Sequence, residues 1–266
     1  HKYVKGFSQL DMSIYADCFV ILAFSKFAEA ADNEEAYIFS RKLYESSINR
    51  IKSGNFNTLP YPLSKKFRAH GIPMIFSNVT RELYSSAKKF DSDYCEALLE
   101  NLNYFTEDVL TNFVDDNHVL HEIIYSDNRF IDNILGQHAN PGHTLEDMWF
   151  MIDASDLLEK PEHIPLIASI AKKALKIGWD EKYGGLLHFC GIDGGEPVGN
   201  SAGIENETMY KQLVDSWDDK LWWPHSEALY TCLLCYDRTH DNEFLEQYGK
   251  VFNYTFEHFP NPDREI

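Results

Sequence analysis

The chain has 266 residues, of which 44% are hydrophobic and 14% aromatic, enough to bury a sizeable core. Its 24 basic and 42 acidic side chains give a net charge of −18, which repels nucleic acid and anionic membranes. The longest strongly apolar run, residues 18–24, is far shorter than the roughly 20 residues that span a bilayer. The aromatic content favours a cavity lined by rings, on which sugars stack.

Helical patterns recur along the chain in pairs. Residues 13–31 are apolar around nearly the whole circumference, which predicts a helix buried on most sides, whereas residues 34–51 carry one apolar stripe, as an outer helix does. The same pairing recurs in residues 73–90 with 93–113, 141–158 with 162–177, and 224–239 with 243–259. Repeated αα-hairpins predict an all-α toroid, an α/α barrel, formed by residues 1–266 as a single domain.

Five cysteines, an odd number, favour a reducing compartment, and we expect the protein to be cytoplasmic. Cys232 and Cys235 form a C-x-x-C pattern inside an apolar helical stretch. We therefore predict that they pack in the core and do not bind metal or exchange disulfides. Residues 119–124 and 184–189 have strand or loop character.

Residues 138–146 are the most informative stretch, reading His-Ala-Asn-Pro-Gly-His-Thr-Leu-Glu. Pro141 suits the first turn of a helix and Asn140 its cap, so His143 and Glu146 share one helix face. An imidazole with an ordinary pKa of about 6.5 gives and takes protons near neutral pH. We predict that His143 and Glu146 are catalytic, with Glu146 orienting the imidazole or raising its basicity. The alternative is a histidine that only caps or packs.

Residues 220–228 repeat this arrangement, reading Lys-Leu-Trp-Trp-Pro-His-Ser-Glu-Ala. Aromatic residues precede a proline at a helix start, and a histidine and a carboxylate follow it. Two such helix starts favour one shared pocket. The sequence has no HExxH motif, and we predict no metal ion. It also has no G-x-x-x-x-G-K-[ST] phosphate loop, so a nucleotide could bind only by another route.

The chain resembles the N-acylglucosamine 2-epimerase family, which includes the renin-binding protein and, more distantly, cellobiose 2-epimerases and mannose-type isomerases. The matching segments, in family order, are residues 13–19, 73–78, 140–146, 178–185 and 220–228. The resemblance implies a twelve-helix (α/α)6 barrel, of which this chain covers most. It also implies N-terminal helices with a substrate-binding arginine and a C-terminal segment with a second catalytic histidine, and we expect both to be missing at the ends of this chain.

The reaction that the resemblance implies is inversion at carbon 2 of a reducing sugar, between N-acylglucosamine and N-acylmannosamine. The proton next to the carbonyl of the open-chain sugar is removed, and a proton returns to the opposite face of the enolate, which calls for two acid/base groups. The enolate oxygen needs a donor in a dry pocket. We predict His143 as one of the acid/base groups, and as substrate-binding residues Trp223, which stacks on the sugar, with His225, Glu227, Asn78 and Tyr15.

The partners follow from the same resemblance. It implies a small-molecule sugar substrate, no required cofactor, a nucleotide as a modulator at most, and a homodimer.

Three other functions stay open. One is an aldose-ketose isomerase or a 2-epimerase of unsubstituted sugars such as mannose or cellobiose. Another is a glycoside hydrolase on an α/α barrel, with two carboxylates such as Glu146 and Glu227 at the glycosidic bond. The third is a non-catalytic binding protein.

Overall fold

The computed structural model describes residues 12–260, and its regular structure within them is mainly helical, which confirms the all-α prediction. The α-helices are α1 Ile14–Ala31, α2 Glu34–Ser53, α3 Gly71–Phe90, α4 Cys95–Asp108, α5 Pro141–Leu157, α6 Ile164–Gly178, α7 Thr208–Ser216, α8 Trp222–Thr239 and α9 Asn242–His258. A π-helical turn, Val109–Phe113, extends α4. Eight of these helices lie where the periodicity predicts them, and α7 was not predicted.

Capping residues set the ends of the helices as the sequence predicts. The side-chain oxygen of Asn33 accepts a hydrogen bond from the N–H of Ala36 at 2.8 Å, and Gly54, with φ of 64°, ends α2 in the left-handed conformation. At α5, Asn140 accepts from the N–H of His143 at 3.1 Å, and Pro141 occupies the first turn. The predicted cap of α5 is confirmed, and it fixes the backbone that carries His143.

The chain divides into two compact units, and their union in a single domain stays a prediction. One unit comprises residues 1–63 and 78–102, in which α1 packs on α2. Inside it the hydroxyls of Ser25 and Ser40 lie 2.7 Å apart, and Ser86 donates to the carbonyl of Ser25 at 2.7 Å. These polar contacts satisfy buried groups where the helices approach closely.

The prediction that α1 is buried on most sides is wrong. Its buried positions recur every three or four residues, as expected of a single stripe: Ile14, Cys18, Ile21, Ser25 and Ala28. Phe19 is 63% exposed and Phe27 is 54% exposed. Apolar residues on every side of a helix show that burial of each side would be favourable. They do not show which sides a neighbouring element covers.

The other unit comprises residues 64–77 and 103–266, and its core is formed by α5, α6, α8 and α9. Cys232 and Cys235 are buried in that core with free thiols, which confirms the packing prediction.

Among residues 12–260, no helix has both the length and the apolar character needed to cross a membrane.

Two short antiparallel strand pairs lie beside these helices. Strand β1, Phe67–Ala69, pairs with β2, Ile123–Tyr125, and β3, His138–Ala139, pairs with β4, Cys190–Gly191. Next to the first pair, the N–H of His70 donates to the carbonyl oxygen of Glu122 at 2.9 Å. Backbone pairing therefore places His70 and Glu122 side by side.

Candidate active site

His143 lies in the first turn of α5, and its side chain is 39% exposed. The ring of Trp223, from the first turn of α8, lies 5.6 Å from the imidazole, centroid to centroid. Trp223 also covers Gly142, because a Cβ added at Gly142 would lie 2.6 Å from Cη2 of the indole. The two helix starts that the sequence singles out are therefore brought together here.

The partner of His143 is Glu122, which the sequence analysis did not select. Oε2 of Glu122 lies 3.1 Å from Nδ1 of His143. Burial opposes ionisation of Glu122, but the charges and hydrogen bonds of His143 and His70 outweigh it and hold the pKa of this carboxyl well below its usual range. An ionised carboxylate only accepts hydrogen bonds, so Nδ1 of His143 carries the proton and Nε2 is left to take one.

The pKa of His143 itself is raised. Burial acts to lower it, but the negative charge and hydrogen bond of Glu122 outweigh burial, and the charge of Glu146 adds to them. The orienting role that the sequence predicts for Glu146 is thus taken by Glu122. Both carboxylates still act on the imidazole.

Glu146 has the properties of a proton-transfer group. Burial raises its pKa to about 7, the negative charges of Glu227 and Asp147 add to that effect, and His143 opposes it. Its pKa thus lies near neutral pH, where a carboxyl group can give as well as take a proton.

Glu227 lies on α8 and faces α5. Its Oε2 accepts a hydrogen bond from Nε1 of Trp149 at 2.8 Å, and its charge contributes to the raised pKa of Glu146. The structure thus brings together four of the sequence-predicted residues, which are His143, Glu146, Trp223 and Glu227.

His225 is placed differently from these four. The ring is fully buried, its Nδ1–H donates to the carbonyl of Leu221 at 2.7 Å, and its Nε2 accepts from the N–H of Leu186 at 2.9 Å. It stacks on Tyr254, with 5.2 Å between ring centroids. Because both ring nitrogens bond to backbone, contact with a sugar stays only a prediction for this residue.

Asn78 and Tyr15 belong to the unit of residues 1–63 and 78–102. Both are half-buried, and the side-chain oxygen of Asn78 accepts from Nη2 of Arg81 at 3.1 Å. Their predicted contacts with a sugar stay predictions.

Three further polar residues near His143 were missed by the sequence analysis. His70 and Asp147 are fully buried, with Nε2 of His70 2.8 Å from Oδ2 of Asp147. His188 is half-buried with its pKa lowered, first by burial and then in part by the charge of His143. A signal existed, since Glu122 and Asp147 are acidic residues inside apolar stretches, where a charge without a partner is costly.

Chemically, this arrangement suits proton transfer to and from carbon. It presents one histidine with a defined tautomer, one carboxyl group with a pKa near neutrality, and an indole against which an apolar sugar face can stack. Within residues 12–260 no group of three or more His, Cys, Asp or Glu side chains is placed to hold a metal ion.

A family model and curated relatives match this chain over most of its length. The family model described as N-acylglucosamine 2-epimerase (GlcNAc 2-epimerase) matches residues 5–265. The N-acylglucosamine 2-epimerase of Mus musculus is 25% identical over 258 residues, which are 96% of this chain and 57% of the mouse protein. The chain thus spans little more than half the length of that relative.

Solved structures show the same fold. A D-mannose isomerase has a TM-score of 0.71 and 17% identity, covering 96% of this chain and 62% of the isomerase. Cellobiose 2-epimerase from Bacillus thermoamylovorans has a TM-score of 0.70 and 16% identity, covering 95% of this chain and 61% of that enzyme. The predicted class, an α/α barrel of helical hairpins, is confirmed by these likenesses. Within that class, the chain belongs to the N-acylglucosamine 2-epimerase family.

Proposed function

We propose that this protein is a sugar 2-epimerase that interconverts N-acylglucosamine and N-acylmannosamine. The observation that carries the proposal is the bond between Glu122 and Nδ1 of His143, which leaves Nε2 of a partly exposed imidazole as a base at the start of α5. Membership of the family and the mouse relative named for this reaction support the same activity.

The first step breaks the bond between carbon 2 and its hydrogen in the open-chain sugar. The proton goes to Nε2 of His143, and the electron pair moves into the carbonyl group, which becomes an enolate. Glu146 in its protonated form donates a hydrogen bond to the enolate oxygen, as a carboxyl group with a pKa near 7 can do. The indole of Trp223 stacks on the apolar face of the sugar, next to His143.

The second step returns a proton to carbon 2 from the opposite face. That face needs its own acid, for which the family resemblance implies a histidine in a C-terminal segment. Glu227, held by Trp149, binds a hydroxyl or the acetamido group of the substrate. The sugar remains covalently unchanged except at carbon 2.

The experiment is proton NMR in D2O with N-acetylmannosamine, N-acetylglucosamine and mannose, using this chain and a version extended at both ends to the length of the relatives. Epimerase activity places deuterium at carbon 2 and inverts the configuration there, and the His143→Gln variant abolishes the inversion. Ketose formed from mannose identifies an aldose-ketose isomerase. If the extended protein forms neither product, and instead cleaves an aryl glycoside or only binds sugar, the epimerase proposal is wrong.

We also propose that the protein works in the cytoplasm as a homodimer. The five cysteines, which carry free thiols, support a reducing compartment, and the dimer rests on the family resemblance. Light scattering of the purified protein measures the mass, and a monomer at the concentration used for activity would refute the dimer.

A further inference from the structure

Two fully buried side chains lie behind Glu122, on the side away from the imidazole of His143. Oδ2 of Asp147 is 2.8 Å from Nε2 of His70, and Nδ1 of His70 is 3.6 Å from Oε1 of Glu122. The other oxygen of Glu122, Oε2, bonds to His143. Asp147, His70, Glu122 and His143 thus form a row of alternating acids and bases that ends at the candidate active site, and we call it the Asp147–His143 row.

The middle of this row contains two polar atoms that face each other. Nδ1 of His70 and Oε1 of Glu122 are both buried and have no hydrogen-bond partner among the described atoms. A buried polar atom without a partner is costly, and their separation is only about half an ångström longer than a hydrogen bond. The two atoms are therefore natural partners, with His70 donating to Glu122.

The charges along the row alternate as well. Burial acts to lower the pKa of His70, but the neighbouring carboxylates of Asp147 and Glu122 outweigh it and raise the pKa. His70 is thus an imidazolium between Glu122 and Asp147. Burial raises the pKa of Asp147, and the charge and hydrogen bond of His70 oppose that rise, so a charged His70 is what makes the Asp147 carboxylate tolerable. A neutral His70 would leave one of the two carboxylates without a counter-charge.

We propose that His70 and Asp147 are positioning residues for His143 and that they act through Glu122. Asp147 holds Nε2–H of His70, which aims Nδ1–H at Oε1 of Glu122 and turns Oε2 towards Nδ1 of His143. The positive charge of His70 also offsets part of the charge of Glu122. His143 is thereby kept in one tautomer. It is also less basic than it would be beside Glu122 without the opposing charge of His70.

The lower basicity of His143 matters because a general base must be unprotonated to accept a proton. Glu122 alone favours the imidazolium form of His143, which has no lone pair for a proton. His70 opposes Glu122, and its charge acts to lower the pKa of His143. The consequence for catalysis rests on the proposed function, whereas the tautomer and the charge state of the row do not.

The other groups around the row are few. The titratable side chains outside the row that are coupled electrostatically to one of its members are Glu146 on α5, His138 in β3 and His188 in the segment before β4. The ring of Phe113 packs against His70 at 5.8 Å, edge to face, and carries no charge.

The experiment is titration of the protein labelled with 15N-histidine, followed by NMR through two-bond couplings in the rings. Loss of signals in His143→Gln and in His70→Asn assigns the two residues. In the wild-type protein we expect His70 to be doubly protonated at pH 7 and neutral His143 to carry its proton on Nδ1. A neutral His70 at pH 7, or neutral His143 with its proton on Nε2, would overturn the proposal.

Variants test the direction of coupling. Asn at position 70 retains an amide donor near the Nδ1 position without the charge, so His70→Asn should raise the pKa of His143. Glu122→Gln should lower the pKa of His143, and Asp147→Asn should lower the pKa of His70. The matched control is Asp115→Asn, because Oδ2 of Asp115 lies 3.3 Å from Nε2 of His121 in a partly buried pair outside the row. It should leave the pKa values of His143 and His70 unchanged.

A purely structural role predicts loss of stability without these opposed shifts, so His143 shifting the same way in His70→Asn and Glu122→Gln contradicts the proposal. If a variant does not fold, the wild-type titration still decides the matter. The titration contains no sugar, so failure of the epimerase assay leaves its outcome intact. Where the extended protein is active, Glu122→Gln should lower kcat by about 10²- to 10⁴-fold with a smaller change in KM.

Discussion

Oε2 of Glu122 lies 3.1 Å from Nδ1 of His143, although the two residues are 21 positions apart in the sequence. Glu122 immediately precedes β2, and its backbone accepts a hydrogen bond from His70, which follows β1. His143 is held by the Asn140 cap of α5. A helix start and a strand pair thus fix the two partners independently, so the tautomer of His143 is set by the scaffold and not by a mobile loop.

The raised pKa of Glu146 depends in part on its carboxylate neighbour on α8. In Glu227→Gln the amide oxygen still accepts from Trp149, but the negative charge is lost, so we expect the pKa of Glu146 to fall below 7. Titration of 13C-labelled glutamate side chains measures the change. Glu243→Gln is the control, since Glu243 binds Lys172 and does not act on Glu146. An unchanged pKa of Glu146 in Glu227→Gln would show that burial and Asp147 raise it without a contribution from Glu227.

The close packing of Trp223 on Gly142 predicts that Gly142→Ala is harmful. The new Cβ would lie 2.6 Å from the indole, so Trp223 must shift away from His143. We expect a loss of about 1–3 kcal/mol in the free energy of unfolding and a raised KM for the sugar. Gly249→Ala in α9 is the matched control, because its Cβ meets nothing within 4 Å and alanine favours a helix by up to about 1 kcal/mol.

Urea denaturation of both variants, together with KM from the NMR assay, tests this packing. A Gly142→Ala protein as stable as Gly249→Ala, with unchanged KM, would mean that the indole moves without consequence and that Trp223 does not stack on the sugar.

The hairpin pattern and the start of α5 were predictable because local rules determine them. Asn140, Pro141 and the spacing of His143 and Glu146 depend on neighbours within one or two turns. The partner of His143 was not predictable in this way. Glu122 is brought to it by strand pairing and long-range packing, and a histidine-carboxylate pair three residues apart suggested Glu146 instead.

Burial accounts for the other main difference between the site predicted from the sequence and the site in the structure. His225 and Glu227 look alike in the sequence, as polar residues after a proline at a helix start. In the structure His225 is fully buried with both nitrogens bonded to backbone, whereas Glu227 is only half-buried. They are two residues apart, so they point to different sides of α8, and only tertiary contacts decide which side is covered.

The Asp147–His143 row predicts an unusual dependence of stability on pH. The folded pKa of Glu122 lies below its ordinary 4.5, so its contribution is present above that pH and is lost as the pH falls. The folded pKa of His70 lies above its ordinary 6.5, at about 10, so its contribution is present below 6.5 and is lost as the pH rises through 10. Both contributions are therefore complete only between about pH 5 and 6.

Urea denaturation between pH 4 and 10 measures this effect. We expect His70→Asn to cost about 3–5 kcal/mol near pH 5.5, since it leaves the buried Asp147 without its partner, and Glu122→Gln to cost less, since His70 keeps its bond to Asp147. The cost of Glu122→Gln should shrink towards pH 4, and that of His70→Asn towards pH 10. Asp127→Asn, which removes an exposed ion pair with Arg129, should change little at any pH. Costs that do not vary with pH would show that the row is not charged.

The placement of His225 predicts that it supports the fold of α8 more than it binds sugar. His225→Gln cannot satisfy both the Leu221 carbonyl and the Leu186 N–H in the stack on Tyr254, so we expect a loss of about 1–3 kcal/mol. Burial lowers the pKa of His225, so its contribution is present above pH 6.5 and is lost on acidification, when protonated Nε2 can no longer accept from Leu186. The difference between wild type and variant should therefore narrow below pH 6.5.

Trp223→Ala is the informative comparison for this last prediction. It removes a half-buried ring beside His143, so it should raise KM strongly, whereas His225→Gln should lower Tm strongly and change KM less. If His225→Gln instead raises KM as much as Trp223→Ala at unchanged Tm, the imidazole must leave its backbone partners to reach the sugar. The sequence-based assignment of His225 as a substrate-binding residue would then be correct, and α8 would have to open at its first turn when substrate binds.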